Sequence, residues 1–261
     1  MKIIVLLKMV PDVVEELQVS ADGTALDTES LRMITNDLDN HALEEALLLK
    51  EKYSGTVTVV ALDAPEVDDA LFTALAKGAD QALKITDGEA ASSTLSGAYR
   101  MIQALSTVPG LLPADLILTG AQAIDDLDGM TAPLVAHFLR LPQLSIVTHV
   151  CVDSAAEKAT VWREFPGGLR GEYEIRLPAV LGIQAAEKPP RYVAVSKIRA
   201  AMKAQAIQSA TVPAAADGGP GVVPVEEMHK PEITEHAQML QGSPEEIANQ
   251  LSEILAARGL L

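Results

Sequence analysis

Cysteine is almost missing. Cys151 is the only one in 261 residues, which excludes an intramolecular disulfide and any cysteine-built metal centre. Aromatic residues are scarce at 3%, so a core must be assembled from Ala, Val, Leu and Ile within an apolar fraction of 48%. Positive charge is also in deficit: 20 Lys and Arg against 36 Asp and Glu leave a formal net charge of −16. That balance argues against a nucleic-acid binder, whose affinity comes from neutralising phosphates. It is compatible with one small nucleotide held by backbone N–H groups. No apolar run approaches the roughly 18 residues of a membrane-spanning helix, so the chain is not expected to be an integral membrane protein. The opening MKIIVLLKMV ends its apolar run at Lys8 without a small-residue cleavage site, and reads as a first strand rather than a signal peptide. The expected compartment is the cytoplasm, with the mitochondrial matrix as the alternative. Neither GxGxxG nor GxxxxGK[ST] occurs, and no repeat of fixed period is present.

What is present is alternation. Residues 3–7 form a compact apolar run suited to a central strand. Residues 8–35 are polar and irregular around an Asp22-Gly23 turn signal, and 36–52 read as a helix capped by Asn36, Asp37 or Asn40. A β-branched strand at 56–62 follows, then a helix at 67–76 closed by Gly78. Strands at 81–85 and 115–119 alternate with helices at 93–105 and 129–139. Such alternation implies right-handed crossovers and a doubly wound, mostly parallel, Rossmann-like sheet. From 144 the pattern changes to successive strands at 146–152, 159–165 and 172–177, with Pro166-Gly167-Gly168 as a hairpin turn. This predicts an antiparallel extension, followed by a strand at 179–184 and a helix at 196–206. Residues 208–230 lack periodicity and read as a linker or extended arm, and 243–255 read as a closing helix with Ser243 as cap and Pro244 at its first position. The expected division is an α/β domain over 1–206, and over 207–261 an arm and helix that dock on a partner.

Between the strand at 115–119 and its following helix lies GAQAIDDLDGMTAP, residues 120–133. Asp125, Asp126 and Asp128 suggest a calcium loop, but the spacing lacks that loop's central glycine and closing glutamate. A catalytic acid pair needs a cleft and a leaving group, which nothing here indicates. Ligands of an open parallel sheet bind at the carboxyl ends of strands beside helix N-termini. There Gly120 permits close backbone approach, while Gly129, Met130 and Thr131 offer N–H groups and a hydroxyl to a phosphate. The residues alone leave two readings standing, a nucleotide cradle and a plain capped loop. His41, His137, His149 and Cys151 lack visible catalytic partners and read as structural, so neither catalytic residues nor a metal are expected. Arg163 and Glu164, adjacent on a strand, point to opposite faces; they are two solvated side chains or one side of a partner contact.

Five ordered stretches carry a resemblance. They are Val5-Leu-Leu-Lys8; Asn36 with Ala42-Leu-Glu-Glu-Ala-Leu47 and Leu49-Lys50-Glu51; Thr73-Ala-Leu-Ala-Lys-Gly-Ala-Asp80; Gly120-Ala-Gln-Ala-Ile-Asp-Asp126 with Thr131; and Arg163-Glu164, Gly167-Gly168, Leu177-Pro-Ala-Val180 and Pro190-Arg-Tyr192. In order and spacing they resemble the β subunit of electron-transfer flavoproteins. The resemblance implies a heterodimer with an α subunit that holds most of the redox FAD, and a structural AMP in this chain. That AMP would be bound by Leu6, Asn36, Asp37, Leu38, Asp39, Leu62, Gln122, Ala123, Ile124, Asp125, Asp128, Gly129, Met130 and Thr131. It also implies a recognition segment after Tyr192, with Val195 as apolar anchor and Ile198 beside it, and an Arg163-Glu164 pair facing the mobile flavin domain. The implied partners are dehydrogenases such as acyl-CoA dehydrogenases as donors, and a quinone reductase or another acceptor. Some family members instead hold a second FAD at the AMP position and bifurcate electrons from NADH; a stand-alone adenine-nucleotide-binding regulatory domain is a further alternative. Asp63 stands where a small residue is common and Phe72 where arginine is frequent.

Overall fold

The computed structural model describes residues 1–27, 31–86, 94–153, 155, 157–212, 225–230 and 237–261. Strand β1 (Lys2–Leu7) is followed by two three-residue strands, β2 (Met9–Pro11) and β3 (Met33–Thr35), which pair antiparallel within the stretch read as irregular. Then come α1 (Asp37–Tyr53), β4 (Thr56–Leu62), α2 (Val67–Lys77), β5 (Gln81–Thr86), α3 (Thr94–Thr107), β6 (Leu116–Gly120) and α4 (Thr131–Leu139). The extension is β7 (Gln143–Asp153), β8 (Lys158–Phe165) and β9 (Leu169–Arg176). The chain continues through β10 (Ala179–Ile183), α5 (Val195–Ala204), β11 (Gln208–Thr211) and α6 (Pro244–Ala257). Ser93, the expected start of α3, lies outside the described residues.

The nine-stranded sheet runs β11-β5-β4-β1-β6-β10-β7-β8-β9. It is parallel from β11 to β7, and β8 and β9 add an antiparallel ribbon. Strand alternation divides the core between the two faces. Ile3, Val5 and Leu7 of β1 pack with the apolar sides of α1 and α2, while Ile4 and Leu6 pack with α3 and α4. On β6, Leu116 and Leu118 enter the first layer and Ile117 the second. This is the doubly wound Rossmann-like architecture, with helices on both faces.

Besides β2 and β3, two elements depart from the reading of the sequence. Gln208–Thr211, read as the start of a linker, is an edge strand parallel to β5, pairing Gln208 with Leu83 and Thr211 with Thr86. Its side chains are mostly exposed, so backbone ladder bonds recruit it and no side-chain periodicity announces it. Residues 213–224 and 231–236 of the expected arm lie outside the described residues. Strand β7 starts earlier than expected because it serves two partners. Gln143–Val147 pair parallel with β10, whereas Val147–Asp153 pair antiparallel with β8. The change falls at Ile146, which β10 skips and which holds φ 64°; a one-residue bulge of this kind bends the strand and redirects it.

The chain divides into two compact units, one of 1–18 with 26–224 and the other of 19–25 with 225–261. In the second, Asp22 Oδ1 accepts from Ser20 Oγ and the Thr24 N–H, closing the turn at Gly23, whose carbonyl accepts the Met228 N–H. Helix α6 carries a complete capping box between Ser243 and Glu246 and has no buried residue.

Gly55, between α1 and β4, faces the backbone at the start of β1. A Cβ there would overlap the Met1 carbonyl oxygen and stand 2.9 Å from its carbon. Backbone cannot rotate away as a side chain can, so Gly55→Ala is expected to destabilise by about 1–3 kcal/mol in denaturant unfolding.

Candidate functional site

In the sheet, β1 lies between β4 and β6. The chain crosses from β1 to β4 through α1 on one face and reaches β6 through α3 on the other. The gap beyond the ends of β1 and β6 is therefore the topological switch point, where open α/β sheets receive ligands. The ladder between the two strands stops at Val5 and Leu118, and past it the backbone N–H groups need other partners.

Asp39 supplies them. Its Oδ2 accepts the Lys8 N–H at 2.8 Å and its Oδ1 the Gly120 N–H at 2.6 Å. The side chain belongs to the first turn of α1 and is 4% exposed. Burial pushes its carboxyl up to about 7, against the opposing pull of the two N–H groups, Asn36 and the Lys8 charge. Gly120 is glycine because Asp39 is so near: a Cβ would stand 2.6 Å from Oδ1, 2.9 Å from Leu38 Cβ and 3.0 Å from the Asp39 nitrogen.

The other predicted residues gather unevenly around this joint. Asn36 occupies the N-cap position of α1, yet its side chain makes no cap hydrogen bond. Its Nδ2 donates to the Gln122 carbonyl at 3.0 Å, tying the helix start to the loop of 121–130. Leu6 is buried in the α3/α4 layer and Leu62 packs against that same cluster. Leu38 is half-buried and Asp37 exposed on the α1 first turn. Ala123 is buried, whereas Gln122, Ile124, Asp125, Asp128 and Met130 are exposed, with Gly129 and Thr131 half-buried before and at the start of α4. The Met130 N–H, expected to face a phosphate, instead donates to Asp128 Oδ1 at 2.9 Å, and the Asp128 N–H to Asp126 Oδ1 at 3.2 Å. These are Asx turns, in which the side chain mimics a backbone turn.

Three residues outside the expected set complete the joint. Lys8 Nζ lies 2.7 Å from Asp125 Oδ1 and 2.6 Å from Asp126 Oδ2, and Thr94 Oγ1 of α3 donates to Asp126 Oδ2 at 2.8 Å. Burial works against the ammonium, but the two carboxylates hold the Lys8 pKa above its usual value. Burial likewise opposes the Asp126 charge, and Lys8 and Thr94 hold that carboxyl below its usual range. A lysine directly after the first strand, in a chain with a carboxylate cluster at another strand end, is the signal that could have found this pair. Among the described residues no group of three or more His, Cys, Asp and Glu is arranged to hold a metal. Next to the joint, Asp63 lies in an acidic hollow with Glu66, Asp68 and Asp69, where Lys84 Nζ approaches Asp68 at 2.8 Å and Asp63 at 3.8 Å.

The expected partner residues fall on two separate surfaces. On β8 the Arg163 guanidinium lies over the Phe165 ring at 5.1 Å with its Nε buried and unbonded, while Glu164 pairs with Arg170 at 3.0 Å. On α5, which packs on α2, Val195 is 57% exposed and Ile198 half-buried.

Fold and joint together define a Rossmann-like α/β domain whose polar groups cluster at strand ends. Residues 24–217 match the family model described as electron transfer flavoprotein domain. The chain is 32% identical over 203 residues to the electron transfer flavoprotein subunit beta of Methylophilus methylotrophus, covering 77% of this chain and 76% of that one. It is 34% identical over 200 residues to that of Clostridium acetobutylicum, covering 76% and 74%. Against the mitochondrial subunit beta of Arabidopsis thaliana it is 34% identical over 213 residues, covering 81% and 82%. The chain belongs to the electron transfer flavoprotein β subunit family, and its role is that of an electron-carrier subunit rather than an enzyme. No helix among the described residues is long and apolar enough to cross a membrane.

Two substitutions test the joint. Gly120→Ala is expected to cost about 1–3 kcal/mol, because neither Asp39 nor the α1 backbone can yield. Asp39→Asn can accept only one of the two N–H groups, so a loss of about 1–3 kcal/mol is expected in denaturant unfolding. Because the native Asp39 pKa of about 7 exceeds the usual 3.8, folding takes up a proton between those values. Wild-type stability should therefore fall as pH rises through that window, and Asp39→Asn should flatten part of the fall.

Proposed function

We infer that this chain is the β subunit of a heterodimeric flavoprotein, binding AMP structurally, supporting an FAD-bearing α subunit and docking dehydrogenase donors. The observation that carries the nucleotide reading is the joint at the switch point, where Lys8, Asn36, Asp39 and the loop of 121–130 meet beyond β1 and β6. The donor set fits an adenine nucleotide. The turn aspartates are occupied internally by Lys8, Thr94 and backbone N–H groups, so they do not confront a phosphate as bare charge. The N-terminus of α4 offers positive potential and half-buried Leu62 offers apolar surface to a base, while Leu6, its side chain buried, would meet the ligand only through backbone. Asn36 to Asp39 and Gln122 to Thr131 would line the ligand, with Asp39 acting through the backbone it holds. Lys84 offsets the Asp63 carboxylate at the adjoining edge.

FAD in the α subunit supplies the redox chemistry; the residues of this chain bind, position and present. Val195, exposed at the start of α5, is suited to enter an apolar recess of a dehydrogenase, with Ile198 one turn on. Arg163 and Glu164 would face the flavin domain. Beyond β11, which belongs to this chain's own sheet, the rest of the arm and helix of 207–261 would dock on the α subunit, which suits the unburied apolar side of α6. Electrons would pass on to a quinone reductase or another acceptor, in the cytoplasm.

The test is to co-express the chain with its α-type partner, purify the pair and release bound cofactors. One FAD and one AMP per heterodimer is the expected result. Two FAD would overturn the AMP assignment in favour of a bifurcating subunit, and a flavin-free monomer that captures no α subunit would overturn the heterodimer.

A further inference from the structure

One face of α1 carries acidic side chains that the nucleotide joint does not use. His41, Glu44 and Glu45 share one face of the helix at helical spacing, with Glu51 further along. All four reach the segment of 186–191, which leads into α5. His41 Nδ1 accepts the Ala186 N–H at 3.2 Å, and Glu45 Oε2 accepts the Glu187 N–H at 2.9 Å. Glu44 accepts the Arg191 N–H at 2.9 Å and also takes its guanidinium, with Nη2 to Oε1 at 2.8 Å; Glu51 takes Nη1 at 2.7 Å. The segment is thus strapped to the helix at four points, and the recognition residues begin immediately beyond the last.

Glu45 is the unusual member. It is 1% exposed, and its Oε1 is buried without a hydrogen-bond partner. A buried carboxylate with one oxygen unanswered is costly when charged, and its other oxygen is the one the strap closes on through the Glu187 N–H. We propose that Glu45 is a proton-linked positioning residue: the strap of 186–191 closes with a proton on Glu45 and loosens when Glu45 ionises, changing the pose of α5 for its electron donor. The proposal rests on the reading that the segment from Val195 docks donors.

The surroundings pull in both directions, and burial prevails. Burial pushes the Glu45 carboxyl up to about 7. From the strap, the Glu187 N–H favours the charged form while the Glu187 carboxylate opposes it. From β7, the Val150 amide favours the charge without completing a hydrogen bond, and His149 stands 3.9 Å from Glu187. On α1 itself Lys52 favours the charge, Glu44 is occupied by Arg191, and His41 accepts from Ala186 only while its Nδ1 is bare. A lifted strap that hydrates Glu45 would bring its carboxyl back toward the ordinary value of 4.5, and linkage then has protonation favour closure.

Hydrogen exchange of the 184–194 backbone in the intact heterodimer, corrected for intrinsic pH dependence, tests this. Between pH 6 and 8 the wild-type protection of the Glu187 and Arg191 amides should fall about tenfold, the change that pKa values of about 7 closed and 4.5 open require. Glu45→Gln, neutral and of the same shape, should hold that protection level across the range. Wild-type protection that is flat from pH 6 to 8, or an unchanged slope in Glu45→Gln, would overturn the proposal. The wild-type series decides the matter even if the variant does not fold. The docking reading is tested separately: Val195→Asp and Ile198→Asp should slow electron transfer from the donor, and an unchanged rate would overturn that reading without altering the exchange series.

Discussion

The Asp39 carboxylate is the point on which the rest of the fold's working end depends. Parallel strands that part at a switch point leave N–H groups with no ladder partner, and water cannot serve them once helices cover both faces. One carboxylate with two oxygens answers both, joining the ends of β1 and β6 to the start of α1. The Asn36 N–H donates to the Lys8 carbonyl, and the Asn36 carbonyl accepts from Asp39 and Asn40, so the helix leaves the sheet already registered against both strands. The joint balances opposed forces: burial raises the cost of the charge, while two N–H donors and the helix N-terminus lower it. A glycine at 120 is the geometric condition for that balance.

Much of the sheet was legible because its strands are local statements. Thr56–Leu62 and Leu116–Gly120 are short apolar runs between turn signals, buried on both faces, and the structure moves their expected ends by one residue at most. Helices α1 and α6 announce themselves through caps and apolar spacing. The hidden parts are those whose causes lie far away in the chain. Asn36 looks like a cap residue, and only the approach of Gln122, 86 residues on, diverts its amide. Ile146 is β-branched, the residue type least expected at positive φ, and it bulges because β7 must satisfy β10 and β8 in turn. β11 contributes backbone to an edge and hardly any side chain to the core. Of the loop aspartates, the sequence could say that some would shape the turn and could offer Lys8 as a partner, but not that Asp125 and Asp126 rather than Asp128 would take it.

Long-range pairing also explains why stretches that look like separate signatures travel together. Val5-Leu-Leu-Lys8 and Gly120-Ala-Gln-Ala-Ile-Asp-Asp126 are two halves of one ion-paired joint. Ala42-Leu-Glu-Glu-Ala-Leu47 and Pro190-Arg-Tyr192, 147 residues apart between Glu44 and Arg191, are two halves of another. In the second the guanidinium fork meets Glu44, 4% exposed in its side chain, and the more exposed Glu51. The hydrogen bonds from Glu44 and then Glu51 hold the Arg191 pKa above its usual value. A planar fork shared between two carboxylates fixes orientation as well as distance, which a lysine would not do.

The sheet order separates the duties assigned to the two partner surfaces. Helix α5 rides on α2, over the β4 and β5 side of the sheet, whereas Arg163 and Glu164 project from β8, five strands from β4. At about 4.8 Å per strand that is roughly 24 Å across the sheet. Neighbouring contacts on one surface would compete for the same partner; contacts this far apart can be held at once. On the proposed function, a donor gripped at α5 therefore leaves the β8 surface free for the flavin domain to approach and withdraw. The rigid sheet between them holds the distance constant. A carrier subunit needs that arrangement more than it needs reactive side chains, which accords with a chain whose buried polar groups mainly fix backbone.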